Sequence, residues 1–453
     1  MPGFASHPVA ARYARHVNPA FVELLDVLGY GRVFARAQDV WVWDDEDRRY
    51  LDLLAGFGAV NIGHNHPRLL ARLAEFLASG EPNLHHTGPS PHAAALGEAL
   101  AARMPGLDVC LVSNGGAEAV EAAVKLARAA TGRARIVYCE GGYHGTSFGA
   151  LSVMDERRMR EPFEPLLPEC AAIAFGDADA LEAALAHGAV AAFVAEPVQA
   201  EAGVRVAPPG YWKRVREACD RHGALLALDE VQTGLGRTGT LFALQSEGIA
   251  PDIVALAKSL GGGIAAIGAT LVRRDAHARA YGARERFDLH GSTFGGNSFA
   301  CVAALETLAI VDEAKLCANA AQRGAQLLDG LRARLAGHPL VADIRGRGLL
   351  VAVELGPTPA GWLNRIAPGL VSLAAEKVAG QWMALRLLEA GMICQPAAHA
   401  WNVLKIEPPL TIDAREIARV VDAVGGLFDE YRGVAKLAAD VAARVSRRSV
   451  ARA

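Results

Sequence analysis

Six apolar runs, each four residues long, recur between residues 109 and 272: Val109-Cys110-Leu111-Val112, Arg135-Ile136-Val137-Tyr138, Ala191-Ala192-Phe193-Val194, Leu225-Leu226-Ala227-Leu228, Ile253-Val254-Ala255-Leu256 and Ala269-Thr270-Leu271-Val272. Most are apolar at successive positions instead of alternate ones, so both faces of the strands they form must be covered. Helical stretches stand between several of them. That alternation predicts an α/β fold with a mainly parallel sheet wrapped in helices.

The rest of the chain is organised around this block. Residues 68–330 read as one large domain. Residues 1–67 read as an irregular arm plus part of a smaller domain, and include a hairpin built from Val40-Trp41-Val42-Trp43, an acidic turn at Asp44 to Asp47, and Tyr50-Leu51-Asp52-Leu53. Residues 331–453 read as the remainder of that smaller α+β domain, with a strand run at Gly346 to Glu354, a helix near Gln381 to Glu389 and a closing helix after Asp413. The stretch 357–379, with Pro359, Pro368 and Gly369, is expected to be an insertion without an assigned role. No internal repeat or low-complexity tract is visible.

Composition excludes several functions. At 453 residues the chain is long enough for substantial cores, and a net charge of -3 with interspersed signs gives no basic face for nucleic acid. The Arg-rich tail, Arg444, Arg447, Arg448 and Arg452, reads as a solvated helix end. Seven scattered cysteines form no C-x-x-C pair and are odd in number, which points to reduced thiols in a cytoplasmic compartment. The N-terminal stretch, with Arg12 and Arg15, lacks the apolar core of a secretory signal, and no run approaches the ~18 apolar residues of a membrane span.

Two of the apolar runs end in ionisable groups. Leu228 is followed by Asp229, and Leu256-Ala257 by Lys258 and the glycines Gly261, Gly262 and Gly263. A buried, unpaired carboxylate or ammonium is costly, so each needs a partner or must change its protonation state. An isolated Asp or Lys would more simply cap a loop or snorkel to the surface. Pyridoxal 5'-phosphate meets both needs: the lysine gives up its ammonium to form a Schiff base with the cofactor aldehyde, and the aspartate keeps the pyridine nitrogen protonated.

The neighbouring motifs fit that cofactor. Ser113-Asn114-Gly115-Gly116-Ala117-Glu118-Ala119 lies where a strand gives way to a helix whose Val120, Ala123, Val124 and Ala127 share one face. Its free amides and dipole favour a phosphate. Gly141-Gly142-Tyr143-His144-Gly145-Thr146 presents an aromatic ring after the strand ending at Tyr138, at the sheet edge where ligands bind. His290-Gly291-Ser292-Thr293-Phe294-Gly295-Gly296-Asn297 offers hydroxyls suited to a phosphate. Histidines 64, 66, 85, 86 and 92 lack metal-ligand spacing, so no metal is expected. No G-x-S-x-G elbow or full Walker loop is present.

Taken together with Tyr50-Leu51-Asp52, Gly63-His64-Asn65-His66-Pro67 and Glu407-Pro408-Pro409-Leu410-Thr411, the run Asp229-Glu230-Val231-Gln232-Thr233-Gly234-Leu235-Gly236-Arg237-Thr238-Gly239 and Lys258 resemble the class III (ornithine, acetylornithine and putrescine type) aminotransferases of the fold type I pyridoxal phosphate enzymes. The resemblance covers nearly the whole chain. It implies a large cofactor domain with a seven-stranded-type sheet, a smaller domain built from both chain ends, and a homodimer whose active sites lie across the subunit interface. It also implies an amine donor and a keto-acid acceptor as small-molecule partners.

By position, the resemblance makes Lys258 the Schiff-base lysine and proton carrier. It pairs Asp229 with the pyridinium nitrogen and brings Gln232 to the phenolic oxygen. Gly115, Gly116 and Ala117 would hold the phosphate, Tyr143 would stack on the ring beside His144, and Thr293 would reach the phosphate from the neighbouring subunit. Glu196 and Glu201 match Glu-Pro-Val-Gln-Gly-Glu with Ala200 in place of glycine. Of these, Glu196 falls on the cofactor side, and Glu201 resembles a gate that pairs with a basic residue when no dicarboxylate is bound.

Two departures bear on substrate. Thr146 stands where relatives acting on α-amino acids often carry an arginine for the α-carboxylate. Lys405 replaces the arginine for the acceptor's carboxylate and cannot fork in the same way. Glu161-Pro162-Phe163-Glu164-Pro165-Leu166-Leu167-Pro168 and Lys405 to Thr411 look closest to putrescine aminotransferases and enzymes aminating long aldehydes. His85, in Asn83-Leu84-His85-His86, falls where the family lines its substrate entrance. The expected activity is an ω-aminotransferase moving an amino group between a diamine or long-chain amine and a keto acid such as pyruvate or 2-oxoglutarate. The alternatives are an ornithine or acetylornithine enzyme, an aminomutase or decarboxylase of the same fold, and a cofactor-binding partner protein that has lost turnover.

Overall fold

The computed structural model describes residues 4–356 and 368–444, apart from 434, 435, 438 and 442. Its centre is a seven-stranded sheet in the order Val109–Ser113, Gly268–Val272, Ile253–Leu256, Leu225–Asp229, Val190–Ala195, Arg135–Cys139 and Cys170–Ile173. Six strands run the same way, and Gly268–Val272 is antiparallel to both its neighbours. The sheet is therefore mixed and mostly parallel, on an α/β frame, as the apolar runs predicted.

Burial follows position in the sheet. Every residue of the strands Val190–Ala195, Leu225–Asp229 and Ile253–Leu256 is buried, which is why those runs are apolar throughout. The strand Cys170–Ile173 was not expected from the sequence. It sits at one edge, is half-exposed, and carries the small residues Ala171 and Ala172, so it lacks the signature of a core strand.

The helix Gly116–Thr131 covers one face. Ala119, Val120, Ala123, Val124 and Ala127 are buried against Ile136, Val194, Ala227 and Ala255. The opposite face is filled by Leu226, Leu228, Val254 and Phe193 packed against helices that include Tyr211–His222 and Ser298–Glu313.

The expected hairpin is present, with Trp41 opposite Leu51, Val42 opposite Tyr50 and Trp43 opposite Arg49. Its turn is fastened by the buried Asp44 carboxylate, which accepts from Arg48 and the Tyr50 hydroxyl. The strand Arg49–Asp52 also pairs in parallel with Met392–Ile393, so segments from opposite ends of the sequence share one sheet. A second, antiparallel sheet runs Val341–Arg347, Leu350–Leu355, Ala400–Ile406, Gln395–Ala397. The closing helix spans Ala414–Glu430 and opens on a reciprocal cap between Asp413 and Glu416.

Three expectations need correction. The N-terminal arm is not irregular: it holds the helices Pro8–His16 and Pro19–Leu28. Each has proline at its start and a side-chain cap, from His7 and Asn18 respectively. The expected insertion at 357–379 is in part regular structure, because a helix begins at Pro368 and runs to Glu389. Residues 357–367 lie outside the described residues. Arg444 is not a solvated helix end, since it pairs with Glu389 and lies over the Trp382 ring. Arg447, Arg448 and Arg452 lie outside the described residues.

Candidate active site

The three adjacent strands Leu225–Asp229, Val190–Ala195 and Arg135–Cys139 end at one edge of the sheet. They deliver Asp229, Glu196 and the Tyr143-His144 loop to the same place. Asp229 Oδ1 accepts from the Val231 amide at 2.9 Å, and Oδ2 lies 2.7 Å from His144 Nδ1, with both side chains buried. Burial works against charge on His144, but the hydrogen bond and negative charge of Asp229 outweigh it and raise the imidazole above its ordinary value. Glu196 accepts from the amides of Tyr143 at 2.9 Å and Ala200 at 3.2 Å. Burial pushes its carboxyl up to about 7, with Asp229 adding to the shift and His144 opposing it.

Lys258 follows the strand Ile253–Leu256 and has a φ of 47°, a conformation that L side chains rarely adopt. The strained position directs the lysine out of the strand and into the cluster, in keeping with strain held at reactive sites. Its Nζ donates to Gln232 Oε1. Burial lowers its pKa, and Lys405 pushes the same way against the pull of Glu201, Glu407 and Glu196. A lysine whose ammonium is disfavoured is a better nucleophile and proton acceptor.

Beyond Gln232 the cluster continues as a buried charge array. Gln232 Nε2 donates to Glu407 Oε2 at 2.8 Å and to Glu201 Oε1 at 3.3 Å. Lys405, wholly buried, pairs with Glu201 and, at 2.8 Å, with Glu407. Burial tends to raise the Glu201 carboxyl, yet the charges of Lys405 and Lys258 hold it at about 2. For Lys405 burial disfavours the ammonium, and the two carboxylates more than compensate, raising its pKa.

Arg237, also fully buried, donates to the carbonyls of Leu349 at 2.8 Å and Pro408 at 2.6 Å and to Asn61 Oδ1 at 2.6 Å. It thereby locks the loop after Asp229 to the segment carrying Glu407. Burial brings its guanidinium down to about 10, against the pull of Glu407 and Asp52.

The helix Gly116–Thr131 begins at this edge, with Gly115 as its N-cap. A Cβ on Gly116 would lie 2.9 Å from Val231, and one on Gly145 2.6 Å from Ala117, so the loops carrying Asp229 and Tyr143 both close on the first helical turn. That turn has amides without intrahelical partners at the positive end of the dipole, which suits a phosphate. Asn114 Nδ2 donates to Ser292 at 2.7 Å, drawing in the second glycine-rich segment. An open cavity of about 520 Å³ runs from Asn114 past Phe294 and Asn297, and its lining includes neither Lys258 nor Asp229.

The structure thus gathers Lys258, Asp229, Gln232, Glu196, Glu201, Lys405, His144 and Tyr143, with Gly115, Gly116 and Ala117 beside them. Thr146, Thr293 and His85 are exposed, and no hydrogen bond or ion pair ties them to the cluster among the described residues. Sequence reasoning missed three participants. Arg237 and Glu407 lay inside quoted motifs but had no role, and His399 carried no signal at all. The His399 ring packs 5.6 Å from Tyr143, and its amide donates to the Glu201 carbonyl at 2.9 Å.

A half-buried amine with a depressed pKa, a carboxylate held by a histidine, a half-exposed aromatic ring and a helix N-terminus are the donor set that pyridoxal 5'-phosphate requires, so the residues present fit this cofactor. Among the described residues, no cluster of His, Cys, Asp or Glu could hold a metal ion, and no helix is long and apolar enough to cross a membrane.

The comparisons agree with the geometry. A family model for class-III aminotransferases matches residues 29–426. Aminotransferase PigE of Serratia sp. (strain ATCC 39006) is 37% identical over 455 residues, covering 92% of this chain and 53% of that protein. The chain therefore spans about half the length of that curated relative. Among solved structures, an (S)-enantioselective ω-transaminase from Thermomicrobium roseum is 32% identical with a TM-score of 0.82, covering 93% of this chain and 98% of its own. The ornithine aminotransferase of Toxoplasma gondii ME49 is also 32% identical, with a TM-score of 0.79 and the same coverage of both chains, 93% and 98%. The chain belongs to the class-III aminotransferase family, a pyridoxal 5'-phosphate family, and has its fold type I architecture.

Proposed function

We propose that the chain is a transaminase that draws its amino group from a terminal amine, a diamine or a long-chain amine, and passes it to a small keto acid. The observation that carries this reading is Thr146: the loop that presents Tyr143 continues into an exposed, uncharged side chain, where a clamp for an α-carboxylate would need an arginine. The similarity to a solved ω-transaminase and to an amine transaminase from an uncultivated Pseudomonas species supports amine donors.

When bound, the cofactor supplies an aldehyde that takes up the amino group and a ring that withdraws electrons from the bond that breaks. The chain's residues do the rest. Lys258 Nζ would carry the proton, and burial lowers its pKa from the ordinary lysine value. Asp229, held in place by His144, would face the ring nitrogen, and Gln232, which accepts from Lys258 Nζ, would reach the ring's phenolic oxygen. Tyr143 would stack on the ring, Glu196 fixes the Tyr143 backbone, and the amides at Gly115, Gly116 and Ala117 would hold the phosphate.

The same reading makes the working unit a homodimer, with Thr293 of the partner subunit completing the phosphate site. Exposed Phe287 at 75%, Leu289 at 53% and Phe294 at 54% surround that segment and support a covered face. His85 would lie at the amine's entrance. Free cysteines at all seven positions support a reducing, cytoplasmic setting.

A donor panel tests the reading. Purified protein should carry a visible cofactor band that Lys258→Ala abolishes, and putrescine or a long-chain amine should bleach that band faster than ornithine or acetylornithine. A clear preference for ornithine overturns the donor assignment.

A further inference from the structure

We infer that the amine donor is a monoamine with an apolar chain and not a diamine: the turn Ala55–Gly58 caps the buried charges beside Lys258 and sets the Phe57 ring where a distal ammonium would need a carboxylate. The inference deepens the terminal-amine reading above and rests on it.

The cap is built at a conformational cost. Ala55, Gly56, Phe57 and Gly58 have successive φ values of 47°, 60°, 59° and 77°, all in the left-handed region. Glycine enters that region freely, whereas a bulky side chain such as Phe57 does so only against strain. The turn is nevertheless fixed. The buried Asp52 carboxylate accepts from the amides of Leu54 at 2.9 Å and Ala55 at 3.0 Å, and the Gly58 amide donates to the Leu54 carbonyl at 3.2 Å. The turn packs against Lys258–Gly261, the segment that carries the reactive amine.

Beneath the cap the charges are already matched. Lys405 pairs with Glu201 and, at 2.8 Å, with Glu407. A Cβ on Gly58 would stand 3.3 Å from Glu407 Oε2 and 3.9 Å from Arg237 Nε, so a second buried cation lies close to the same carboxylate. Two carboxylates therefore face two cations. Asp229 is taken by His144, and Glu196 by the amides of Tyr143 and Ala200. None of these carboxylates is left over for a further ammonium.

What the far end of a donor meets is the Phe57 ring, 40% exposed, with Lys405 Nζ 5.4 Å from its centre. Methylene groups that leave water for such a ring are stabilised. A second ammonium gains a ring face at most. Lys405 beside that ring repels it, and the contact does not offset the hydration it gives up.

The test follows bleaching of the cofactor band in the loaded full chain and compares second-order rate constants for n-butylamine, n-hexylamine, n-octylamine, putrescine and ornithine. Butylamine and putrescine share one carbon chain and differ only in the distal ammonium, so their ratio reads its cost. The wild-type chain should favour n-butylamine by roughly tenfold or more, as for a charge left uncompensated. Its rate should climb by up to about fourfold with each methylene added towards n-octylamine. Phe57→Asp puts a carboxylate in the cap on a side chain that tolerates the left-handed region. It should raise putrescine against n-butylamine by roughly tenfold and flatten the dependence on chain length, while Phe57→Leu keeps the wild-type order.

Putrescine matching n-butylamine in the wild-type chain, or a ratio unmoved in Phe57→Asp, overturns the inference. If that variant does not fold, the wild-type ratio decides alone. Ornithine ahead of every amine sinks the terminal-amine reading and this inference together, whereas putrescine ahead of both n-butylamine and ornithine sinks this inference only.

Discussion

His144 Nδ1 lies 2.7 Å from Asp229 Oδ2, with both side chains buried at the end of the central strands. Burial disfavours charge on the imidazole, but the hydrogen bond and charge of Asp229 outweigh it and tie the two side chains together. His144→Ala should leave the fold intact but weaken cofactor binding roughly tenfold or more, the loss expected when a charged hydrogen bond of ~1.5–3 kcal/mol is removed. An absorbance titration of the unloaded chain with pyridoxal 5'-phosphate measures it, and an unchanged affinity would show that Asp229 holds its position alone.

The proposed phosphate cradle rests on a close backbone approach. Gly145 has a φ of 116°, and a Cβ there would lie 2.6 Å from the Ala117 Cβ and 3.0 Å from its Cα. Gly145→Ala must therefore push the first turn of the helix Gly116–Thr131 away from the Tyr143 loop. Cofactor affinity should fall while the far-ultraviolet circular dichroism stays at its wild-type value. Normal affinity in the variant would mean that the two loops can part without cost to the site.

Arg237 serves stability. It holds the carbonyls of Leu349 and Pro408 and the Asn61 side chain in a site closed to water. Arg237→Leu leaves those acceptors unsatisfied and the nearby Glu407 less well compensated, so unfolding free energy should drop by about 3–5 kcal/mol. Urea denaturation reads this directly, and a loss below ~1 kcal/mol would show that the surrounding groups find other partners.

The acid–base balance of the interior sets a pH dependence. Glu230 bonds to Thr233 and to the amides of Ala243 at 3.1 Å and Leu244 at 2.8 Å, yet burial, with help from Asp229, keeps its carboxyl protonated up to about 7. In the unfolded chain it ionises near 4.5. The native state therefore binds more protons in that window, and the stability Glu230 gives at low pH is lost as pH rises through about 7. Glu196 acts in the same direction, while Glu201, held at about 2, gives stability above its ordinary range that is lost on acidification. Glu230→Gln should flatten the fall in Tm between about pH 5 and 8. A slope matching wild type would assign that fall to other groups.

What the sequence made legible was whatever depends on order along the chain. The apolar runs ending in Asp229 and Lys258 located the central strands and the reactive edge, and Gly115-Gly116 located the helix that faces it. What it hid depends on contacts between distant segments. Lys405 meets Glu201 across 204 positions and Arg237 reaches Pro408 across 171, and nothing local to either residue announces its partner. Glu407 looked like part of a turn before two prolines because its carboxylate gains meaning only once Gln232 stands 2.8 Å away. The helices of the N-terminal arm were hidden for another reason: each is only nine or ten residues long and begins on a proline, which sits in the first turn where no backbone donor is needed.

The pairing of Leu51 with Met392 ties the hairpin to a strand synthesised far later. While a nascent polypeptide leaves the ribosome, Arg49–Asp52 has an open flank that stays unsatisfied until the distant segment emerges, a long interval in which chaperones or mispairing can intervene. Shortening the polypeptide before Met392 would therefore damage its beginning as well as its end.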